Sequence, residues 1–266
     1  MAKSVTPRII VKEDYESLSQ TAAENFSFLA QKIIREKGVF CCALSGGSTP
    51  KRVYEILGAP PYQTELPWGK VHFFFSDERS VPPDHPESNF KMIDDCFFSK
   101  IEIPDQNIHR MKGELDPEKA EMEYAQEIKD VLKLNQAFQE KSSFQKSSFP
   151  RFDLILLGIG SDGHTASLFP GTAALKEKEK WVTAYYVEKL KMYRISLTFP
   201  VINAAAAVAF LVSGSEKAEI VSRVISRASG DELFPADQVQ PESGEVIWYL
   251  DSDAARLVSR VKQGES

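Results

Sequence analysis

Short apolar runs alternate with longer amphipathic stretches along the chain. Runs of about four to eight apolar, β-branched or aromatic residues predict strands, and apolar positions that recur about every three or four residues predict helices. The expected strands span residues 8–11, 39–44, 71–75, 153–157, 182–186, 194–199, 207–212 and 246–250. The expected helices span residues 15–37, 50–57, 89–99, 117–134, 216–228 and 252–262.

Several of the expected strands are apolar at consecutive positions, as in Phe73-Phe74-Phe75. Such strands are covered on both faces, which favours a mostly parallel sheet flanked by helices. The alternation of strand and helix is typical of a Rossmann-like α/β fold, and the length suits a single α/β domain over residues 1–266. In such sheets ligands bind where loops leave the carboxyl ends of the strands.

One segment departs from this alternation. Residues 135–150 are polar and contain a short tandem echo, Lys-Ser-Ser-Phe at 141–144 and again at 146–149. A polar segment with few apolar anchors predicts an exposed, flexible insertion between a helix and the next strand.

The composition narrows the class of partner. With 42% hydrophobic and 26% charged residues the chain is typical of a globular protein, and its formal net charge is −6. This acidic balance argues against nucleic acid and against an anionic membrane, but a local basic pocket can still hold a small anionic substrate. We therefore expect a small-molecule partner, no nucleic acid and no membrane. A monomer or weak dimer is a separate expectation, which the charge does not establish.

Cysteine usage and the lack of targeting signals predict a cytoplasmic protein. Cys41 and Cys42 are adjacent in an expected strand and Cys96 is distant, which does not make a disulfide framework. The first residues lack the apolar stretch of a signal peptide. The best apolar run, residues 204–212, is far shorter than the roughly 20 residues that span a bilayer.

A glycine-rich loop follows the strand that ends at Leu44. It reads Ser45-Gly46-Gly47-Ser48-Thr49-Pro50, in which Thr49 can cap the next helix and Pro50 suits its first position. Free N–H groups at a helix start and the helix dipole both favour an anion, so the loop predicts a phosphate cradle. A plain strand-to-helix turn is the alternative.

A nucleophilic serine is a second alternative for this loop. Residues 43–47 differ from the nucleophile elbow G-x-S-x-G only at its first glycine, which would make Ser45 a nucleophile. The chain order argues against it, because an α/β-hydrolase places its histidine near the C-terminus and here no histidine follows His164.

Charged residues crowd the end of the strand at 71–75. Residues 76–82 read Ser-Asp-Glu-Arg-Ser-Val-Pro and include Asp77 and Arg79. The Arg79 guanidinium can clamp a carboxylate, a phosphate or a developing oxyanion. A solvated turn with an internal ion pair is the alternative. Residues 87–89, Glu-Ser-Asn, follow and are expected to cap the next helix.

The most specific signal follows the strand at 153–157, where residues 157–165 read Leu-Gly-Ile-Gly-Ser-Asp-Gly-His-Thr. Glycines such as Gly160 free the backbone to form an anion nest. If Gly163 lets the chain turn, Asp162 and His164 face one site. A histidine titrates near neutrality and suits activation of water, and a neighbouring carboxylate can fix its tautomer or contact the substrate. A capping Asp162 with an incidental surface histidine is the alternative.

Basic residues precede the strand at 194–199. Lys189, Lys191 and Arg194 can supply the positive charge that an acidic protein must concentrate to hold a phosphate. A basic solvated turn is the alternative.

The remaining histidines, His72, His85 and His109, lack the spacing of a metal site. Asp162 and His164 alone are too few ligands, so no metal is expected.

Together these segments resemble the family that joins 6-phosphogluconolactonases with glucosamine-6-phosphate isomerases. The resemblance is carried by LSGGSTP at 44–50, SDERSVP at 76–82 with ESN at 87–89, LGIGSDGHTASLFPGT at 157–172, and RISLTFPVIN at 194–203. Their order and spacing also match, over nearly the whole chain. The isomerases would show a DEY-type loop and a DGHIAFNEP-like stretch, whereas this chain has DER with ESN and DGHTASLFP, so the lactonase branch fits better.

The resemblance implies hydrolysis of 6-phospho-D-glucono-1,5-lactone to 6-phosphogluconate, the second step of the pentose phosphate pathway, without a cofactor. It implies that His164 activates water, that Asp162 assists it or holds the substrate, and that Arg79 contacts the lactone end or the phosphate. The residues implied to surround the substrate and its phosphate are Ser45, Gly46, Gly47, Ser48, Thr49, Asp77, Gly160, Lys189 and Arg194.

Two other functions and one local ambiguity stay open at this point. An aldose–ketose isomerase would need a further acid–base carboxylate near His164, and a non-catalytic sugar-phosphate sensor would not need the intact Asp162-Gly163-His164 motif. The family often has Lys-Pro-Pro before its Arg-Ile-Thr strand. Here residues 189–193 read Lys-Leu-Lys-Met-Tyr, and position favours Lys189 over Lys191 for the basic role.

Overall fold

Strands and helices alternate through most of the computed structural model, which describes residues 6–136, 149–226 and 233–258. The strands are β1 (Arg8–Lys12), β2 (Phe40–Leu44), β3 (Val71–Phe75), β4 (Asp77–Arg79), β5 (Leu154–Leu157), β6 (Val182–Val187), β7 (Met192–Leu197), β8 (Ala207–Val212) and β9 (Glu245–Asp251). The helices are α1 (Tyr15–Lys37), α2 (Ser48–Leu57), α3 (Tyr62–Glu65), α4 (Asn89–Cys96), α5 (Pro117–Gln136), α6 (Phe199–Ala204), α7 (Ala218–Ile225) and α8 (Ser252–Ala255).

The main sheet is parallel throughout and confirms the predicted fold class. Its six strands lie in the order β1-β9-β8-β5-β2-β3. Every residue of β2, β5 and β8 is buried, as the consecutive apolar positions in these strands predict. Nearly all buried hydrophobic side chains of the described residues belong to one contiguous cluster.

A second, antiparallel sheet lies beside the first, with the strand order β4-β7-β6. The strands expected at 182–186 and 194–199 belong to this antiparallel sheet. The sequence predicted only one, mostly parallel, sheet. Residues 77–79, expected to lie in a loop, form its edge strand β4. Pairing partners are set by distant residues, so local patterns predict that a strand exists but not which sheet it joins.

Helix ends follow the local capping residues where these are present. α1 has the predicted bounds: the Ser17 N–H donates to the Asp14 carboxylate over 2.8 Å, and Gly38 closes the other end with a φ of 86°. Other ends differ, because α2 begins two residues early at Ser48, α4 stops at Cys96, and α7 spans only Ala218–Ile225. The expected strand at 194–199 ends at Leu197, and α6 follows with Pro200 in its first turn.

Two expectations fall partly outside the described residues. The insertion at 135–150 is described only at its edges, because residues 137–148 lie outside, and the last helix is described only to α8. Among the helices that the structure does describe, none has the length and apolar character needed to cross a membrane.

The central strands of the main sheet, β8, β5 and β2, are neighbours and run in the same direction. Their carboxyl ends, at Val212, Leu157 and Leu44, therefore lie side by side. The loops that begin there bring distant parts of the sequence to one place, as the rule for ligand sites in such sheets requires.

Candidate active site

A pocket of about 620 Å³ opens at these carboxyl ends. Apart from the alternative Lys191, it is lined by the residues that the sequence singled out for catalysis or substrate binding: Ser45, Gly46, Gly47, Ser48, Thr49, Asp77, Arg79, Gly160, Asp162, His164, Lys189 and Arg194. Segments separated by more than a hundred residues thus contribute to one cavity, because the two sheets meet beside it.

The loop after β2 leads directly into α2, whose first residue is Ser48. The capping role expected of Thr49 is wrong, because Gly47 occupies the N-cap position and no side chain within the described ranges caps the helix. The Thr49 hydroxyl instead lies 2.9 Å from the Ser213 hydroxyl in the loop after β8. The N–H groups of the first turn are thus left without a capping side chain at the pocket, which is the arrangement that binds anions.

The backbone of Ser45 is hydrogen-bonded to the side chain of Tyr54. Its N–H donates to the Tyr54 hydroxyl over 3.1 Å, and its carbonyl accepts from the same hydroxyl over 2.9 Å. The Ser45 hydroxyl is buried and has no hydrogen-bond partner among the described residues. A nucleophilic serine needs a hydrogen-bonded base, so the structure gives the elbow alternative no support.

The loop after β5 brings Asp162 and His164 together. Gly163 has a φ of 76°, and the chain turns there so that both side chains line the pocket. The Asp162 Oδ1 lies 2.5 Å from the His164 Nδ1 and also accepts the His164 backbone N–H over 3.2 Å. Gly160 permits this fold, because a Cβ at that position would lie 2.0 Å from the His164 Nδ1.

The electrostatics of this pair fix the tautomer of the histidine. Burial raises the pKa of Asp162, but hydrogen bonds from Lys189 and His164 outweigh it and hold that pKa at about 2. An ionised carboxylate can only accept, so the His164 Nδ1 carries a proton, and in the neutral imidazole the lone pair is then on Nε2. The arrangement can therefore take a proton from a water molecule at Nε2.

The charged segment after β3 is a short strand rather than a turn. β4 pairs with β7 so that Arg79 lies directly opposite Arg194. The buried Glu78 carboxylate accepts the N–H groups of Arg79, Asn89 and Phe90, each over 2.8 Å. It thereby ties β4 to the start of α4, whose N-cap is Ser88. Glu78 thus has a structural role, while the neighbouring Arg79 faces the pocket.

Both arginines retain unused donors. The Nε atoms of Arg79 and Arg194 are buried and have no hydrogen-bond partner among the described residues, although the Arg79 Nη1 donates to the Glu87 carbonyl. Burial and the nearby Arg79 lower the pKa of Arg194. Two cations with open donors on one wall make this part of the pocket suited to an anion.

The two candidate lysines differ in position. Lys189 lies in the turn between β6 and β7, lines the pocket and contacts the Asp162 carboxylate. Lys191, two residues on, is exposed, has a φ of 49° and is not among the residues that line the pocket.

Five further polar residues line the pocket that the sequence did not assign to catalysis or substrate binding: Asn89, Ser161, Ser167, Ser213 and Lys217. Asn89 donates to the Asp77 carbonyl over 2.9 Å, and Ser167 donates to the Asp77 carboxylate over 2.7 Å. Lys217 precedes α7 in the loop after β8. Ser213 and Lys217 could have been predicted as site residues, because they follow the carboxyl end of β8, where ligands bind in such sheets.

The remaining histidines lie away from the pocket. The His72 Nδ1 is 2.9 Å from the His109 Nε2, and the His109 Nδ1 is 2.8 Å from the Glu127 carboxylate. The His85 Nδ1 accepts the Glu87 N–H over 3.2 Å. Within the ranges that the structure describes, no cluster of three or more His, Cys, Asp or Glu side chains is placed to hold a metal ion.

Comparison with known proteins finds the same architecture and sequence pattern elsewhere. A family model for glucosamine-6-phosphate isomerases/6-phosphogluconolactonase matches residues 13–248. A 6-phosphogluconolactonase from Synechocystis is 37% identical over 251 residues, which cover 94% of this chain and 98% of the relative. The chloroplastic 6-phosphogluconolactonase 3 of Arabidopsis thaliana is 37% identical over 256 residues, with coverage of 96% and 76%. The solved 6-phosphogluconolactonase from Trypanosoma cruzi has a TM-score of 0.83 and 28% identity, with coverage of 97% and 99%.

Proposed function

The chain belongs to the family of glucosamine-6-phosphate isomerases and 6-phosphogluconolactonases, and on this premise we propose that it hydrolyses 6-phospho-D-glucono-1,5-lactone to 6-phosphogluconate. This reaction is the second step of the pentose phosphate pathway. One observation carries the proposal: a histidine with its tautomer fixed by Asp162 lines the same pocket as an uncapped helix start and two arginines.

The phosphate of the substrate binds at the start of α2. Residues Gly46 to Thr49 supply backbone N–H groups and hydroxyls, and the helix dipole favours the negative charge. Arg194 adds a guanidinium with an open buried donor, and Lys217 adds an ammonium from the loop after β8. These groups concentrate positive charge in one pocket of an otherwise acidic protein.

His164 acts as the general base at the other end of the substrate. Its Nε2 takes a proton from water as the oxygen attacks the lactone carbonyl, and Asp162 stabilises the imidazolium that forms. The tetrahedral intermediate then collapses, the ring C–O bond breaks, and the imidazolium returns its proton to the leaving oxygen. Only water is consumed, so the reaction needs no cofactor.

Arg79 stabilises the oxyanion of the tetrahedral intermediate. The Gly160 N–H donates to the His164 carbonyl over 2.9 Å and is therefore not free to serve the oxyanion. The Arg79 Nε is buried on the pocket wall without a partner among the described residues, and it lies beside Arg194. One guanidinium then serves the phosphate while its neighbour serves the charge that develops at the lactone carbonyl.

The pocket residues named above all come from one chain, and we expect the protein to work as a monomer or weak dimer. The cytoplasm remains our expected location, since three cysteines, two of them adjacent in the sequence, do not make a disulfide framework.

The experiment that tests the proposal measures release of 6-phosphogluconate from freshly generated 6-phosphogluconolactone, coupled to 6-phosphogluconate dehydrogenase. The unphosphorylated lactone serves as the matched control. Acceleration over the spontaneous rate with the phosphorylated lactone alone is the expected result. A folded protein that accelerates neither reaction would overturn the proposed activity, and equal acceleration of both would overturn the phosphate cradle.

A further inference from the structure

The Asp162 carboxylate is shared between two cation-capable side chains. Its Oδ1 lies 2.5 Å from the His164 Nδ1, while its Oδ2 accepts the Lys189 ammonium. Lys189 arrives from the turn between β6 and β7, a different element from the loop that holds the other two residues. The three side chains therefore form a short row, Lys189–Asp162–His164, along the pocket.

A single aromatic ring supports both ends of this row. The Phe169 ring is 4% exposed, its centroid lies 4.3 Å from that of His164, and the Lys189 Nζ lies 4.6 Å from the same centroid. A cation over an aromatic face is attracted by the ring quadrupole, which gives Lys189 a second anchor besides the carboxylate. Its position is thus defined although its side chain is half exposed.

A carboxylate beside a histidine can weaken the histidine as a general base, because it favours the protonated form. The negative charge stabilises the imidazolium, and a histidine that is already protonated cannot accept a proton from water. A positive charge on the far side of the carboxylate has the opposite effect, because it offsets the field that the carboxylate exerts on the ring. The row places Lys189 on that far side.

We propose that Lys189 is a positioning residue that acts through Asp162 and keeps His164 in its neutral, proton-accepting form near neutral pH. The inference rests on the proposed hydrolysis and assigns Lys189 to the base rather than to the phosphate. The other lysine of this turn, Lys191, does not take part, because it is exposed and does not line the pocket.

Other charged groups face the same space and stay constant in the test. Asp77 and Arg79 line the pocket from β4, Arg194 lines it from β7, and Lys217 lines it from the loop before α7. None of them is altered by a substitution at position 189, so a change in the titration of His164 reports the loss of the Lys189 charge.

The test compares Lys189→Met, Lys189→Arg and the control Lys191→Met by the pH dependence of kcat/KM, after subtraction of spontaneous hydrolysis. In Lys189→Met we expect the acid limb to move to higher pH by about half to one unit, as for the loss of one unit charge near solvent. Activity then recovers at alkaline pH, and KM changes less than about twofold. Lys189→Arg keeps the charge and the wild-type limb, as does Lys191→Met.

Two outcomes overturn the inference. If the acid limb is unchanged in Lys189→Met, Lys189 has no effect on His164. If KM is raised at every pH, Lys189 contacts the substrate instead. Thermal unfolding measures whether each variant is folded. We expect the variants to fold, because the side chain of Lys189 is exposed.

A second readout separates this inference from the proposed function. The chain has four histidines, so the His164 ring signals can be assigned in NMR spectra by their loss in His164→Gln. The His164 titration midpoint should move to higher pH in Lys189→Met even without substrate. An unchanged midpoint in Lys189→Met overturns the inference. If the midpoint shifts in Lys189→Met but the wild-type protein has no lactonase activity, only the proposed reaction is overturned.

Discussion

Arg79 in β4 and Arg194 in β7 are direct cross-strand partners, and both side chains line the pocket. Like charges directly opposite one another destabilise a sheet. Their cost is offset when an anion lies against them. The buried Nε atoms of both, which have no hydrogen-bond partner in the described part of the chain, are suited to hold one. This wall of the pocket is thus arranged for a negatively charged ligand.

The two arginines are expected to differ in their kinetic effect. Arg194→Gln should raise KM for the phosphorylated lactone about 10- to 100-fold with little change in kcat, since a lost charge-assisted hydrogen bond costs about 1.5–3 kcal/mol. Arg79→Gln should lower kcat about 100- to 1000-fold with a smaller change in KM, as for removal of an oxyanion donor. Steady-state kinetics of both variants measure this split.

The exposed Arg256→Gln is the control, because Arg256 does not line the pocket. If Arg79→Gln changed KM alone, its guanidinium would belong to the phosphate, and if Arg194→Gln changed kcat alone, the two roles would be exchanged.

The dyad of Asp162 and His164 predicts a graded loss of activity. His164→Gln should lower kcat about 10²- to 10⁴-fold, because the proton acceptor is removed, while binding of 6-phosphogluconate by calorimetry stays close to that of the wild type. Asp162→Asn should lower kcat less, since the amide oxygen can still accept from Nδ1. Comparable turnover of wild type and His164→Gln would exclude the histidine as the base.

Gly160 should tolerate no side chain without loss of activity. In Gly160→Ala the new Cβ would lie 2.0 Å from the His164 Nδ1, so the imidazole must move. A displacement of about 1 Å can cost about a hundredfold in rate, and we expect kcat/KM to fall by about that factor. Gly69→Ala is the matched control, because a Cβ there meets nothing within 4 Å. Equal activity of the two variants would show that the imidazole position is not critical.

The row of His72, His109 and Glu127 predicts a pH-dependent stability unrelated to the active site. The Glu127 carboxylate accepts from the His109 Nδ1, so the His109 Nε2 accepts from the His72 Nδ1. Burial is the main cause that lowers the pKa of His72 from 6.5 to about 4. The folded state thus binds fewer protons than the unfolded state, and the free energy of unfolding falls as pH drops through 6.5, with the loss complete below about 4.

Urea unfolding between pH 4 and 7 measures this dependence. His72→Leu should flatten the slope of unfolding free energy against pH in that interval, while His85→Gln should leave it as in the wild type. An unchanged slope in His72→Leu would assign the pH dependence to other groups.

Periodicity and loop chemistry alone determined much of this protein. The bounds of α1 were predictable because Asp14 and Gly38 cap the helix with their own local interactions. The parallel sheet was predictable because strands such as β5 are apolar at every position. The residues that line the pocket were predictable because loops at the carboxyl ends of parallel strands share one edge of a sheet.

Tertiary structure alone decided the partners of those residues. That residues 77–79 form a strand opposite Arg194, rather than a loop, depends on pairing between segments more than a hundred residues apart. The contacts of Lys189 with Asp162 and Phe169 likewise join different elements, so no local pattern could distinguish a base-positioning lysine from a phosphate ligand. Local sequence sets which conformations a segment prefers, whereas the packing of the two sheets sets which side chains meet.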